Sequence, residues 1–529
     1  MAMRFRSLAL RGGVALLLLP ALACAQSGTV EVASVRVEGN TLLPEATLAR
    51  LTAGVAGSKQ DLPALNALAA RIQSAYRDAG YGGVVAYLPE QASFDGAVTV
   101  RVVEGKLARV RVNGNRYFSS ENVRAGLAHL REGSTPLVRA IDRDIQLSNN
   151  NTAKHVNVSL TAGAGPGDID ADVSVTDTRP LQVLAGYNNT GTPSTGRGRI
   201  SVGIEHANLF DRDHVGTLQF QTSPQEPGRV RIFSAGYRVP LYRQAASLDA
   251  FAAHSTVRIG TTATTAGPLS FTGRGTIVGL RANRYLDRIG EYDHFLTLGL
   301  DRRHYKDDCA IGDFGAAACG PAAADVTTAP LSLSYTGQKG GDALAYGFNA
   351  ALAVNVGGSA AAAFDGARPG ARRRYRLARA SAFADKPLTA GFTLNARVDM
   401  QYSADALIPA ERFGIGGSNS VRGYEERELS GDHGILLRVE LAYAGIAWLQ
   451  GARLQPYVFV DHGRVENRGG LPCLGLAATA CRLTGAGLGA RLALSRRASA
   501  SLDVARAMER GTTSVPGDVR AHVALNLAF

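Results

Sequence analysis

Phe392-Thr393-Leu394-Asn395-Ala396-Arg397-Val398-Asp399-Met400-Gln401-Tyr402 is the stretch that decides the fold. Apolar residues occupy every second position from Phe392 to Tyr402, and the positions between carry threonine, asparagine, arginine, aspartate and glutamine. Successive side chains of an extended chain point to opposite faces, so this segment has one apolar and one polar face along its whole length. A soluble sandwich also alternates, but its polar face meets bulk water and its strands are usually shorter. A strand with lipid on one side and a polar lumen on the other needs this pattern. The same alternation sets Ile200, Val202 and Ile204 against Ser201, Gly203 and Glu205, and Leu437, Val439, Leu441 and Tyr443 against Arg438, Glu440 and Ala442.

From about Leu181 onward such segments recur between Gly, Asn, Asp and Pro clusters. They begin near residues 181, 197, 214, 229, 246, 273, 291, 328, 342, 372, 391, 432, 454, 482, 498 and 519. Sixteen is an even number, as closure of a bacterial barrel requires, so residues 180–529 are expected to form a sixteen-stranded antiparallel transmembrane barrel. The last segment alternates Val523, Leu525, Leu527 and Phe529 with His522, Ala524, Asn526 and Ala528. A closing strand that ends on phenylalanine resembles the assembly signal of outer-membrane proteins, which marks Phe529.

Upstream of the barrel, Val35-Arg36-Val37-Glu38-Gly39-Asn40 recurs 75 residues later as Val110-Arg111-Val112-Asn113-Gly114-Asn115. In each copy a short strand ends at a Gly-Asn turn and helical patterning follows. Leu65, Leu68, Ile72, Ala75, Tyr76 and Ala79 share one helical face, with Asp61 placed to cap the helix and Gly80 to end it. Strands follow near 84–88 and 98–103. The second copy predicts helices near 120–130 and 138–149, then strands near 155–160 and 169–175. Both copies read β-α-α-β-β, giving two small α+β domains at 30–105 and 106–178.

The chain begins with Arg4, Arg6 and Arg11, an apolar run over 14–23 and small residues at Ala23-Cys24-Ala25. This is the pattern of a secretory signal peptide over residues 1–25. Leu22-Ala23-Cys24 is also loosely like a lipoprotein signal, although Ala21 stands where a larger aliphatic residue is usual. Loss of the three arginines lowers the formal charge from +12 to +9. In an exported chain that basic balance points to anionic lipid headgroups or an acidic passenger, not to nucleic acid. Four cysteines then remain in two close pairs, Cys309 with Cys319 and Cys473 with Cys481. In an oxidising compartment they read as two small disulfide loops, with four free thiols as the alternative; the spacing matches no zinc site. The most apolar later stretch, 344–364, is broken by Asn349, Asn355 and Ser359, so no membrane helix is expected after the signal.

Between the eleventh and twelfth strands lies an unusually long connection, 403–432. It contains Phe413-Gly414-Ile415-Gly416-Gly417 and Val421-Arg422-Gly423-Tyr424. This combination resembles the characteristic loop of the barrel insertases and translocases that carry POTRA domains. In that superfamily the loop folds back into the lumen and its arginine meets an acid on the inner wall. The matching acid is Asp461 in Tyr457-Val458-Phe459-Val460-Asp461. Alternation turns Val458 and Val460 to lipid and leaves Tyr457, Phe459 and Asp461 inside. An arginine-carboxylate contact suits a lock that is directional yet breakable, being planar and able to be bidentate.

Two POTRA-like units before a sixteen-stranded barrel resemble the two-partner secretion transporters, the haemolysin and filamentous-haemagglutinin secretion family. The resemblance implies an outer-membrane pore with periplasmic POTRA units that exports a large exoprotein by its amino-terminal secretion domain. It also implies membrane lipid and the barrel-assembly machinery as partners. The related barrel-assembly insertases are the alternative; they usually carry three or more POTRA units. One departure is that only about ten residues separate the expected cleavage site from the first strand. No counterpart of the family's plug helix is therefore expected, and closure falls to the long loop or to other contacts. No catalytic constellation, cofactor or metal site emerges. Gly485-Ala486-Gly487-Leu488-Gly489 has no helix after it, Ser418 lacks a nucleophile elbow, and His304 beside Asp307 and Asp308 reads as a hydrated loop.

Overall fold

The computed structural model describes residues 29–529 except 92–95, 258–259, 272–273, 307–324, 448–450, 474–475 and 496. The expected signal peptide and the Cys309–Cys319 pair lie outside the described residues.

The first unit, ending at Gly105, has a three-stranded sheet of Ser34–Glu38, Ala97–Glu104 and Val84–Tyr87. Ser34–Glu38 runs parallel to Ala97–Glu104, and Val84–Tyr87 antiparallel to it. The helix Leu62–Asp78 starts where Asp61 accepts the Ala64 amide at 2.8 Å, so one orphan amide of the first turn is satisfied. Its apolar stripe, Leu65, Leu68, Ile72 and Tyr76, is buried against Val98, Val100 and Val102. Glu104 binds the unit together: it accepts from the Thr41 amide at 2.7 Å, the Leu42 amide at 3.0 Å and the Tyr76 hydroxyl at 2.9 Å. The unit differs from a bare β-α-α-β-β order by one extra pair, Val30–Val32 against Ser58–Gln60. That pair buries Val32 in the same core, against which Leu48 and Leu51 of the short helix Glu45–Thr52 also pack.

Residues 106–529 form one compact unit. Its first part repeats the order: strand Lys106–Asn113, helices Ser120–Gly126 and Val138–Ser148, strands Lys154–Ala162 and Asp168–Asp177. The first helix stops at Gly126, short of residue 130, because the chain turns so that the His129 amide reaches Asp144 at 2.8 Å.

Among the described residues the barrel is closed by sixteen antiparallel strands, from Leu181–Asn188 to Val519–Ala528. Their outward positions are the apolar ones. On the strand Arg453–Glu466, Val458 and Val460 are 48% and 52% exposed, whereas Phe459 and Asp461 are 3% and 0% exposed. The first and last strands pair from Ala524 opposite Asn188 to Ala528 opposite Leu184. Phe529 completes that seam: its amide donates to the Val183 carbonyl at 2.9 Å and its carbonyl accepts the Val183 amide at 3.2 Å.

The repeat unit at 106–177 is seated on the barrel turns through a buried ion pair. The Lys154 ammonium, fully enclosed, lies 2.6 Å from Asp213, 3.0 Å from Asn122 Oδ1 and 5.0 Å from the Phe118 ring. Tyr242, on the next turn, also hydrogen-bonds Asp213. Phe210, Asp211 and Asp213 adopt left-handed φ in this short turn, a strained geometry that presents Asp213 to the lysine.

Candidate functional site in the barrel lumen

The strand Phe392–Tyr402 ends and His433–Tyr443 begins on either side of the long loop, which folds into the barrel. Two three-residue strands, Phe413–Ile415 and Leu429–Gly431, pair at its neck. Ile415, Val421, Tyr424 and Leu429 are buried against Leu436, Val465, Leu483 and Ala507 of the wall. This apolar contact positions the tip before any charge is counted.

At the tip, Arg422 extends into a nest of wall carboxylates. Its Nε donates to Asp461 Oδ2 at 2.7 Å and its Nη2 to Asp461 Oδ1 at 2.8 Å, a fork-on-fork contact. The Arg422 amide donates to the same Oδ2 at 3.1 Å. The remaining nitrogen, Nη1, reaches Glu440 at 2.9 Å and Asp503 at 3.1 Å. The guanidinium carbon lies 3.4 Å over the Phe459 ring, adding a cation–π contact. Glu440 is shared with Arg491 at 2.5 Å, and Asp503 accepts the Tyr457 hydroxyl at 2.7 Å. Asp461 has Arg422 as its hydrogen-bonding partner on both oxygens.

Gly423 has φ of 97°, and a Cβ there would press within 3.2 Å of the Arg506–Ala507 backbone, so the turn needs glycine. The Tyr424 hydroxyl is held by the Thr484 carbonyl at 2.9 Å and the Glu509 amide at 2.8 Å. The wall makes room in turn. A Cβ on Gly485 would stand 2.0 Å from the Arg422 carbonyl oxygen, and one on Gly463 would stand 3.1 Å from Val421 Cγ2. Gly485 of the glycine run therefore lines the place where the tip passes, while Gly487 and Gly489 make room for the Phe459 and Tyr457 rings.

Residues that the sequence reading does not single out fasten the two ends of the loop. Glu411, buried, takes Arg303 at 2.9 Å and 3.0 Å. Asp432 takes Arg368 at 2.6 Å and 2.9 Å, together with the Leu407 and Arg468 amides. Glu428 accepts the Thr513 and Ser514 amides at 2.9 Å and 2.8 Å, tying the loop to the last connection between barrel strands. Arg368 follows a short helix, Ala361–Ala367, whose Phe364 is packed with Leu407 and Ile408. Cys473 and Cys481 are disulfide-bonded, with Cα atoms 6.5 Å apart, in the same apolar cluster as Val421 and Tyr424. Among the described residues no His, Cys, Asp and Glu group is arranged to hold a metal ion.

The loop is thus held in the lumen by many polar contacts to the wall. Residues 167–492 match the family model described as haemolysin secretion/activation protein ShlB/FhaC/HecB, and residues 30–105 match the ShlB-type POTRA domain. The outer membrane transporter CdiB of Dickeya dadantii (strain 3937) is 23% identical over 431 residues, 78% of this chain and 72% of that one. The solved structure of CdiB from Escherichia coli has the same fold, with a TM-score of 0.77 at 20% identity over 97% of this chain and 93% of that one. BamA from Haemophilus ducreyi lacking POTRA domains 1-3 is a more distant likeness, with a TM-score of 0.51 at 14% identity over 94% of this chain and 100% of that one. The family match spans more than half of the sequence, so the chain belongs to the ShlB/FhaC/HecB haemolysin secretion/activation family: an outer-membrane pore of two-partner secretion with its POTRA region in the periplasm.

Proposed function

We propose that the barrel passes one extended exoprotein outward and that the 403–432 loop is its displaceable inner lock, with Arg422 as the bolt and Asp461 as the catch. The observation that carries this reading is the seating of Arg422 in the carboxylate nest of Asp461, Glu440 and Asp503. In a confined lumen such contacts are stronger than in bulk water, yet desolvation cancels part of the gain, so the lock can open without unfolding the barrel. The 30–105 and 106–178 units would capture the amino-terminal secretion domain of a large exoprotein by strand addition. Each has a sheet edge that pairs with no further strand among the described residues, Val84–Tyr87 in the first and Lys154–Ala162 in the second, partly covered by Gln73 at Ala86 and by Asn149 at Val156.

The pore hydrolyses nothing as it exports its passenger, with activation of the passenger as a further role of the same family; folding outside the cell supplies direction. Outer-membrane lipid surrounds the apolar band, and the barrel-assembly machinery reads the closing strand that ends at Phe529. The test is export into the medium, in a Gram-negative host, of a very large protein with an amino-terminal secretion domain, sought in the reading frames beside this gene. Wild type is compared with Arg422→Ala, and barrel insertion is checked by heat-modifiable gel migration. Export by wild type and its loss in an inserted mutant supports both pore and lock. Insertion without export of that protein by wild type moves the reading to barrel assembly.

A further inference from the structure

The lumen does not use up the basic excess of the chain. Arg372-Arg373-Arg374-Tyr375-Arg376 enters the tenth barrel strand, Arg376–Pro387. The second POTRA-like unit sits on the turns at 210–213 and 242–245, so this run lies at the opposite, extracellular rim. Leu377 is buried inward, which turns Arg376 outward with Ala378 and Ala380.

Below this rim the outer wall is recessed. A hydrogen-bonded row of outward positions climbs the barrel from Tyr335 through Ala350, Ala380, Met400 and Ile435 to Arg464. The short side chains at 350, 378 and 380 leave a hollow of about 730 Å³ between Leu352 on one side and Met400 and Tyr402 on the other. Its lining is apolar until its upper end, where cations gather. Arg464 closes the row, and the Arg468 guanidinium lies 5.4 Å over the outward Tyr402 ring. Arg376 stands above Ala378 on the same face, opposite Val354.

Acids near this rim are few. Glu466 lies 3.8 Å from Arg464, Asp405 lies 3.9 Å from Arg372, and Asp365 is turned back onto the Gly370 amide at 2.7 Å. Asp405 also accepts the Arg376 amide at 3.0 Å, but among the described residues no carboxylate forms an ion pair with the side chain of Arg373, Arg374 or Arg376. An apolar trough that ends beneath a cluster of guanidinium groups, those of Arg373, Arg374 and Arg376 without a carboxylate partner among the described residues, is complementary to one kind of molecule at the level of the outer leaflet: acyl chains joined to phosphate. Guanidinium binds phosphate in a planar two-point contact that an ammonium cannot make.

We infer that this face is a binding site for a phosphorylated, multiply acylated lipid of the outer leaflet, one chain lying in the alanine-floored trough and the phosphates meeting Arg373, Arg374, Arg376 and Arg464. The inference rests on the outer-membrane reading and adds the lipid class and its place. Full-length protein in phosphatidylethanolamine nanodiscs is titrated with lipid A and with lipid A stripped of phosphate, and bound lipid is read by native mass spectrometry. Wild type retains lipid A and not the stripped form. Each arginine removed in the series R373Q, R374Q, R376Q weakens retention by about fivefold. Ala380→Phe, which fills the trough and leaves the charges, also weakens it, while heat-modifiable migration stays normal in every variant. Equal retention across the series, or equal binding of the stripped lipid, overturns the site. A wild type that never acquires heat-modifiable migration would overturn the barrel reading beneath it as well, whereas normal migration with indifferent binding overturns the lipid site alone.

Discussion

Replacing Arg422 by alanine strips Asp461 of its side-chain donors while leaving Glu440 with Arg491 and Asp503 with Tyr457. The damage is therefore concentrated on one fully buried carboxylate. Breaking a buried pair from one side costs about 3–5 kcal/mol, because an uncompensated charge stays behind. Asp461→Ala alone should cost less, since Arg422 keeps Glu440 and Asp503 at 2.9 Å and 3.1 Å. The double variant removes both the orphan and its cause, so the two effects should fall short of additivity by about 2 kcal/mol. The readout is the opening of the loop, followed as the rate of trypsin cleavage in 403–432 on inserted barrels. Arg412 and Arg427 supply cleavage positions that are sheltered in the docked loop. Arg422→Lys serves as the intermediate case, since an ammonium cannot engage both Asp461 oxygens in parallel. Strict additivity of the two single variants, within about 0.5 kcal/mol, would refute the reasoning, because it would mean that the two residues do not meet in the membrane-embedded protein.

Other expectations follow from separate parts of the molecule. Gly485→Ala puts a Cβ 2.0 Å from the Arg422 carbonyl oxygen. It should loosen the loop by about 1–3 kcal/mol without touching any charge, seen as faster cleavage of 403–432 at unchanged barrel heat-modifiability. Lys154→Ala leaves Asp213 buried with Tyr242 as its remaining partner, and should weaken the seat of residues 106–177 on the barrel by about 3–5 kcal/mol. Hydrogen exchange in the turn at 210–213 checks this, and an unchanged rate would count against a seated unit. In the first unit, burial pushes the Glu104 carboxyl up, but donors from Thr41, Tyr76 and Leu42 outweigh it and hold the group below the ordinary glutamate value. A depressed folded pKa gives stability that is present above the unfolded value and lost as pH falls through the folded one. Glu104→Gln should therefore lower the thermal midpoint of this unit at pH 7 and make little difference below about pH 3. A loss of the same size at both pH values would show that the charge is irrelevant.

The barrel was legible because lipid imposes alternation on every strand, and alternation survives in a single sequence. Observed strands such as Ala246–Ser255 and Phe392–Tyr402 begin within a residue or so of where the pattern changes sign. The paired repeat was legible because each copy carries its own Gly-Asn turn; Gly39 and Gly114 both take positive φ against a neighbouring strand's carbonyl. The lumen site was readable only where a motif marks it. Arg422 lies in such a motif, whereas Glu440 and Asp503 are ordinary inward charges whose meeting depends on barrel closure, which brings strands far apart in sequence to one point. Glu411 and Arg303 are 108 positions apart and carry no local signal at all. The helix Ala361–Ala367 was missed because an alanine run after an alternating strand reads as more of the same, although Pro369-Gly370 just beyond it marks a stop.

The seat built on Lys154 and Asp213 has a consequence for how such transporters can be recombined. Residues 106–529 cohere as one body, and the compact segment before them ends at Gly105. A crossover between relatives at residue 105 would fall between the two compact units and leave Lys154 and Asp213 from one parent. A crossover at 178 would instead join a lysine from one parent to an aspartate from another. Residues 106–177 must therefore change in step with the turns at 210–213 and 242–245 on which they rest.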